Sequence, residues 1–303
     1  MTVTAVVVTW NSADVLEGLL DSLPSGFAGI DAWRLNVVDN ASADETVAIA
    51  ERWLRAHADV DGRILNTGRN AGYAAAINVA LADDVRPDDA ALILNPDIRL
   101  GPGCVRQMSD ALGSDARPPT GIVVPRVRDA EGRLYRSLRR EPSLPRALGE
   151  ALLGRHAARF GRLGETVGDA AAYQTTTTAD WATGAVMLIS AACRAQCGPW
   201  DESFFLYSEE TEYALRARDR GFATRLAPVA EAVHLGGESK TSGKLWALLT
   251  VNRVRLYRRR HTWPATALFW TAVVLRELPR ALLGRAPSRT ALAALFGLRS
   301  VAN

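Results

Sequence analysis

Cysteine is scarce in this chain: Cys104, Cys193 and Cys197 are the only three in 303 residues. An odd, sparse set does not make a disulfide framework, and a reducing cytoplasm is the expected compartment. Cys193 and Cys197 have a helical spacing, but no second Cys/His pair lies nearby, so ordinary buried thiols are expected rather than zinc. No leader is expected either. Residues 1–9 run directly into a strand-like apolar stretch, without the basic segment or cleavage site of a signal peptide. Excess charge of one sign is absent: 36 Lys+Arg against 33 Asp+Glu leave +3. Nucleic-acid binding brings a stronger and more clustered positive field, so no nucleic-acid partner is expected. Aromatics make up only 7% of the chain, although eight are tryptophan. No internal repeat is present.

What is there suits a large α/β unit. Apolar residues make up 48% of the sequence, enough for a sizeable core. Residues 3–8 form a β-branched run that ends at Thr9-Trp10-Asn11-Ser12. Asn11 or Ser12 can cap the following helix, whose Val15, Leu16, Leu19, Leu20 and Leu23 keep helical spacing. A second strand over 35–38 ends in Asp39-Asn40-Ala41-Ser42, and Ser42 with Glu45 reads as a capping box for a helix through Trp53 and Leu54. A third strand over 63–66 precedes Gly68-Arg69-Asn70-Ala71-Gly72-Tyr73 and a helix over 74–82. A fourth over 90–94 ends at Asn95-Pro96-Asp97. Such alternation predicts a mostly parallel sheet with helices on both faces. Ligands of open α/β sheets bind at the carboxyl ends of the strands, so Asn11, Asp39, Asn70 and Asp97 are expected along one rim. Residues 125–178 read as an irregular excursion with a helix over 144–153, and 175–178 as a short strand or loop. An apolar segment follows over 186–189, and a helix over 209–221 stops at a glycine.

Five blocks stand out in order: Val6-Val7-Val8-Thr9-Trp10-Asn11-Ser12, Val37-Val38-Asp39-Asn40-Ala41-Ser42, Asn70-Ala71-Gly72-Tyr73, Leu94-Asn95-Pro96-Asp97, and the run from Phe204 to Glu210. In this order and spacing the chain resembles the family 2 glycosyltransferases over about residues 3–239. It is most similar to the bacterial rhamnosyltransferases that use dTDP-rhamnose and an N-acetylglucosamine-diphosphate-polyprenol. The resemblance implies a GT-A, Rossmann-like fold and an inverting sugar transfer in cell-envelope glycan synthesis (cell wall biogenesis). The implied division is a glycosyltransferase domain over 1–240, nucleotide-binding over 1–100 and acceptor-binding and catalytic over 101–240, with a C-terminal helical region over 241–303.

The site roles follow from chemistry and resemblance together. Asp39, after a strand, can accept hydrogen bonds from a nucleoside base or ribose; the plainer alternative is that it caps its own turn. Thr9, Asn11, Arg69, Asn70, Gly72, Asn78 and Asn95 are expected to line the nucleotide and diphosphate. Asp97 can hold Mg²⁺ or Mn²⁺ against the donor diphosphate. The family pattern is often Asp-x-Asp; with Asn95 in the first place, only one carboxylate is available here. His234, before Leu235-Gly236-Gly237-Glu238-Ser239, matches a family histidine that completes the metal site. Glu209 and Glu210 open a helix, where negative charge is favoured in any case. The functional reading makes one of them the general base that takes the acceptor hydroxyl proton. Glu210 replaces the Asp of the usual Glu-Asp pair and is the expected base, with Glu209 its rival. Trp181, Gly184 and Ala185 are expected beside the acceptor: the ring stacks on a sugar or else belongs to the core, and the small residues admit close approach.

The tail carries Arg253, Arg255, Arg258, Arg259 and Arg260, followed by an apolar stretch with Trp263, Phe269 and Trp270 that is too short to span a bilayer. Docking of this basic, aromatic-rich segment on the inner face of the cell membrane, beside a polyprenyl-linked acceptor, is one expectation. A cap on the core, or a homodimer contact, is the other. Three further readings stay open: a UDP-sugar donor, a soluble natural-product acceptor, or a sugar-nucleotide binding module without turnover. A nucleotidyltransferase is disfavoured, because Trp10-Asn11-Ser12-Ala13-Asp14 lacks a glycine-rich phosphate loop.

Overall fold

Strand β1 (Val3–Thr9) is buried along its whole length, as a strand covered on both faces must be. Its side chains alternate between two cores. Val3, Ala5 and Val7 join Leu16, Leu19, Leu20 and Leu23 of helix α1 (Ala13–Gly26) on one side. Val6 and Val8 face Ala74, Ile77 and Ala80 of a later helix on the other. Each of the four α1 leucines is fully buried and contributes about 1.5–3 kcal/mol of transfer free energy. The structure is a computed structural model that describes residues 2–83, 86–236 and 242–297.

The alternation continues through β2 (Trp33–Asp39), α2 (Thr46–Ala56), β3 (Asp61–Asn66), α3 (Tyr73–Asp83) and β4 (Ala90–Leu94). Then come β5 (Ile98–Leu100), α4 (Cys104–Leu112), β6 (Thr120–Asp129), β7 (Leu138–Arg139) and α5 (Leu144–Leu153). Strands β8 (Thr178–Ala179), β9 (Trp181–Ala182) and β10 (Val186–Ile189) precede α6 (Ala191–Cys197), α7 (Glu209–Asp219) and β11 (Ala223–His234). Helices α8 (Gly243–Arg260), α9 (Trp263–Leu282) and α10 (Ala286–Leu295) follow.

The main sheet has the order β3-β2-β1-β4-β10-β6-β11-β5, with β8 added beside β11. Strands β1 to β4 are mutually parallel, while β10 runs antiparallel to both β4 and β6. The chain therefore winds outward from β1 in one direction and then crosses to β4 on its other side. That reversal opens a crevice at the carboxyl ends of β1 and β4, where such sheets bind ligands. The sheet is mixed in its second half, which the sequence pattern did not reveal.

Three local expectations are corrected. The supposed capping box is absent: α2 begins at Thr46 with Glu45 at its N-cap and no side-chain cap. Ser42 instead donates to Asp39 Oδ1 at 2.6 Å, and its Oγ, the atom a cap would use as acceptor, takes the Asn11 N–H. Residue Pro125 does not open an irregular stretch; it lies inside β6, paired with Ala227 where the register of β11 shifts. A shift at that point accommodates a residue with no N–H to donate. Finally, most of the basic run in α8 turns inward. Arg253 pairs with Glu150 at 2.8 Å and Glu165 at 2.6 Å. Arg255 donates to the Ser203 carbonyl, Arg259 to Asp201 and Ser203, and Arg260 to Glu141 and Asp219. These arginines fasten α8 to the globular core and offer little charge to a membrane. The α8–α9 pair is closed by Tyr257 stacked on Phe269 at 3.9 Å, with Ala147 of α5 in the same cluster. Among the described residues no helix is long and apolar enough to cross a membrane.

Candidate active site

The turns after β1 and β2 are laced together. The Asn11 N–H donates to Ser42 Oγ and the Ala43 N–H donates to Asn11 Oδ1, both at 2.8 Å. Asn11 and Ala41 both adopt positive φ, 48° and 57°, a strained backbone that these reciprocal bonds hold in place. Asp39 is buried beneath them. Its Oδ1 accepts from Thr9 Oγ1 at 3.0 Å and from Ser42 Oγ, and its Oδ2 accepts from the Ser42 N–H at 2.8 Å. Asp39 thus shapes its own turn, and Thr9 is committed to it.

The turn after β3 joins the same floor. Thr67 Oγ1 donates to Asn40 Oδ1 at 3.0 Å and to the Arg69 carbonyl at 2.7 Å. Asn70 Oδ1 accepts from the Gly72 N–H at 3.2 Å. Gly72 has φ +92°, and a Cβ there would collide with the Phe205 carbonyl. The Tyr73 N–H donates to that carbonyl at 2.8 Å. Glycine is required because two chains touch here. The contact ties the donor-side turn to the loop leading into α7. Arg69 is exposed at the rim.

Asn78 serves a different purpose from the one expected. Its amide donates to the Trp200 carbonyl and Glu202, both at 2.9 Å, and accepts from the Trp200 N–H at 2.8 Å. With both ends of the amide committed, it anchors the loop before α7, and no contact brings it to the donor turns. Trp181 is corrected too. Its ring is buried in the core and its indole N–H donates to the Arg140 carbonyl at 3.0 Å, so no free face remains for a sugar. The exposed aromatic on the rim is Trp10, 55% accessible at the end of β1.

Asp97 follows β4, and His234 ends β11, which pairs with β5 so that His234 stands opposite Ile98. Their side chains meet, with His234 Nε2 and Asp97 Oδ2 at 3.2 Å. Asp97 Oδ1 and His234 Nδ1 are buried and have no partner among the described residues. A Cβ on Gly236 would collide with Asp97 Oδ2, so the backbone closes in on this carboxylate. An orphaned buried carboxylate oxygen beside an imidazole is a donor set that fits a divalent cation. Gly237, Glu238 and Ser239 of the expected motif lie outside the described residues.

Glu209 and Glu210 open α7 behind Tyr207 and Ser208, both at positive φ. Asn252 of α8, buried, donates to the carbonyls of Leu206 and Tyr207 at 2.9 and 3.2 Å and holds this bend. Sequence reading passed over Asn252; set within a basic helix, it carried no signal. Both glutamates have an Oε2 that is buried with no partner among the described residues. Burial, and then its neighbour's charge, push the Glu209 carboxyl well above the usual range. Glu210 is only half-buried, and burial pushes it up to about 7. Tyr73 lies among these groups. Its hydroxyl donates to the Gly184 carbonyl at 3.3 Å, and burial followed by Glu209, Glu210 and Asp97 drives it well above the ordinary phenol range.

Gly184 and Ala185 bridge the two ends. The Asn95 N–H donates to the Ala185 carbonyl at 3.0 Å, and a Cβ on Gly184 would stand 3.2 Å from the Glu210 Cβ. These contacts bring the laced turns, the Asp97–His234 pair and the Glu209–Glu210 pair into one neighbourhood.

Residues 4–174 match the family model described as Glycosyl transferase family 2. The chain belongs to that family. It is a glycosyltransferase with the GT-A fold and a C-terminal helical extension. It is 30% identical over 246 residues to the N-acetylglucosaminyl-diphospho-decaprenol L-rhamnosyltransferase of Mycobacterium tuberculosis, covering 76% of this chain and 74% of that protein. It is 27% identical over 234 residues to a low-salt glycan biosynthesis hexosyltransferase of Haloferax volcanii, with 76% and 66% covered. In fold it is similar to a mannosyltransferase from Pyrobaculum calidifontis solved with GDP-Man and Mn²⁺ (TM-score 0.60, 16% identity, 98% of this chain and 79% of that one).

Proposed function

We infer that this glycosyltransferase transfers L-rhamnose from dTDP-rhamnose, with inversion, onto a lipid-linked N-acetylglucosamine acceptor at the inner face of the cell membrane, in cell-envelope synthesis. The name of the mycobacterial relative, similar over three quarters of both chains, supports rhamnose and the lipid-linked acceptor, and the dTDP carrier rests on the resemblance of the sequence blocks. The observation that carries the mechanism is the carboxylate of Glu210, half-buried and raised to about 7. A general base is most effective with its pKa near the working pH. Glu209 is buried and Glu210 is the more accessible of the two, so Glu210 is the base.

The donor nucleotide lies over the laced turns of Thr9, Asn11 and Asp39, with the exposed face of Trp10 available to stack on the base. Arg69 and the backbone of Asn70 and Gly72 border the diphosphate. Asp97 and His234 would hold a divalent cation, with Asn95 beside them; when bound, it supplies positive charge to the diphosphate as the glycosidic bond breaks. Gly184 and Ala185 leave room for the acceptor next to Glu210. The Glu210 carboxylate takes the acceptor hydroxyl proton as that oxygen bonds to the anomeric carbon. The bond to the diphosphate breaks on the opposite face, and the nucleotide departs with the electron pair.

The test is a thermal-shift series with dTDP, UDP and GDP and their sugars, with and without Mn²⁺ or Mg²⁺, because a ligand stabilises the fold it binds. A metal-dependent shift with dTDP-rhamnose is expected. A shift confined to UDP-sugars would replace the donor, and none with any nucleotide would remove the reading.

A further inference from the structure

The basic run expected to meet a membrane turns inward, yet another surface has the required chemistry. Helix α9 is 20 residues long, about 30 Å at 1.5 Å per residue. Its outward stripe is Pro264, Leu268, Thr271, Leu275, Leu278 and Leu282, all exposed. The spacing keeps one face, and the face carries no charge. Leu282 is 78% accessible and the following Leu283 82%. A solvent-facing helix ordinarily puts charged groups there.

Helix α5 extends the surface. Leu144 and Ala147 pack into the cluster formed by Phe269, Ala272 and Val273 of α9. Beside them on α5, Leu148 and Leu152 lie one turn apart and point outward, Leu152 with 82% of its surface accessible. Leu153 and Phe160 are exposed as well. So large a set of exposed apolar side chains on two packed helices marks an interaction surface.

The charge around it is mostly positive. Arg155, Arg159 and Arg162 are exposed after α5, and Arg285 and Arg289 after α9. Within residues 142–168 and 262–297 the only acidic residues are Glu150, Glu165 and Glu277. All three are drawn inside: Glu150 and Glu165 pair with Arg253, and Glu277, fully buried, accepts from the Trp246 indole at 3.0 Å. In a chain whose net charge is only +3, an apolar face edged mostly by arginine, with Asp169 the exposed acid next to Gly168 on Ala158, is complementary to an anionic bilayer.

We propose that the outward faces of α5 and α9 together dock this enzyme on an anionic phospholipid surface, the leucines entering the acyl boundary and the arginines meeting headgroup phosphates. The stripe then lies in the plane of the bilayer. This deepens the lipid-linked acceptor reading by naming the face that approaches the lipid.

The experiment is flotation of the full chain with vesicles of phosphatidylcholine alone and of phosphatidylcholine with phosphatidylglycerol, without donor, acceptor or metal. A negative result therefore stays separate from any failure of transfer. Wild type is expected to float with the anionic vesicles and to release as salt is raised. The Leu152→Glu, Leu282→Glu pair, at fully accessible positions, is expected to keep the wild-type melting profile and bind at least about tenfold more weakly. Arg155→Gln, Arg159→Gln and Arg285→Gln together are expected to remove the preference for the anionic lipid. Absence of wild-type flotation, or unchanged flotation of the leucine variant, would overturn the proposal. So would a dimer in sedimentation velocity that the leucine variant dissociates, because the face would then be a contact between two copies.

Discussion

Replacing Glu210 with glutamine is expected to abolish transfer while making the fold more stable. An unfolded glutamate titrates near 4.5, and Glu210 in the folded chain near 7. Between those values the folded state keeps a proton that the unfolded state has released, so this group's contribution to stability falls as pH rises. A shift from 4.5 to about 7 is worth about 3 kcal/mol, at roughly 1.4 kcal/mol per unit, once pH exceeds the folded value. Glutamine does not titrate and escapes that loss, but its buried amide brings one more unpaired donor than the protonated acid, which costs about 1 kcal/mol. The net gain is about 2 kcal/mol above neutrality, or roughly 5 °C in melting temperature for a chain of this size. It disappears as pH falls toward 4.5 and reverses below it, where wild-type Glu210 is protonated in both states. Glu209 is shifted in the same direction, by burial and by its neighbour's charge, and leaves the sign unchanged. Melting of both proteins in chelator across that range is the assay. A variant that melts no higher than wild type above neutrality, or a gain that persists at acid pH, would refute the desolvated placement of Glu210.

Other outcomes follow from the same geometry. The wild-type turnover rate is expected to rise with pH through an apparent pKa near 7 as Glu210 ionises, read from a pH–rate profile; a flat profile would remove it as the base. Asp97→Ala and His234→Ala are each expected to lose the metal-dependent part of donor binding by at least tenfold in titration calorimetry, with melting in chelator little changed. Asn252→Ala releases the Leu206 and Tyr207 carbonyls and is expected to lower kcat by roughly tenfold with donor affinity kept, because it loosens the bend before Glu209. Arg253→Met leaves Glu150 and Glu165 without their shared partner and is expected to cost about 3–5 kcal/mol in denaturant unfolding.

The first four strands were readable from sequence because each ends in a polar cluster. Asn11, Asp39, Asn70 and Asp97 come from turns that the alternation alone placed on one rim. The second half was not readable in that way. Strand β10 is only four residues long, and nothing in Val186–Ile189 announces that it runs against β4 and β6. Side-chain roles failed where partners are remote in sequence. Arg253, Arg255, Arg259 and Arg260 look like a free basic patch until Glu150, Glu165, Ser203, Asp201, Glu141 and Asp219 are brought beside them. Asn78 looked like a rim polar group, but its partners lie more than a hundred residues away at Trp200 and Glu202. Trp181 allowed both a core and a stacking reading, and burial decided for the core. Ser42 was misassigned because its acceptor lone pair goes to the N–H of Asn11, thirty-one residues away in sequence.

The most direct test of the account is transfer itself: rhamnose from dTDP-rhamnose onto a polyprenyl-diphosphate-linked N-acetylglucosamine, with Mg²⁺ or Mn²⁺, comparing wild type with Glu210→Gln. The account predicts a rhamnosylated lipid of inverted anomeric configuration from wild type, and donor binding without product from the variant. Product of retained configuration, undiminished product from Glu210→Gln, or transfer only from another nucleotide sugar would contradict it.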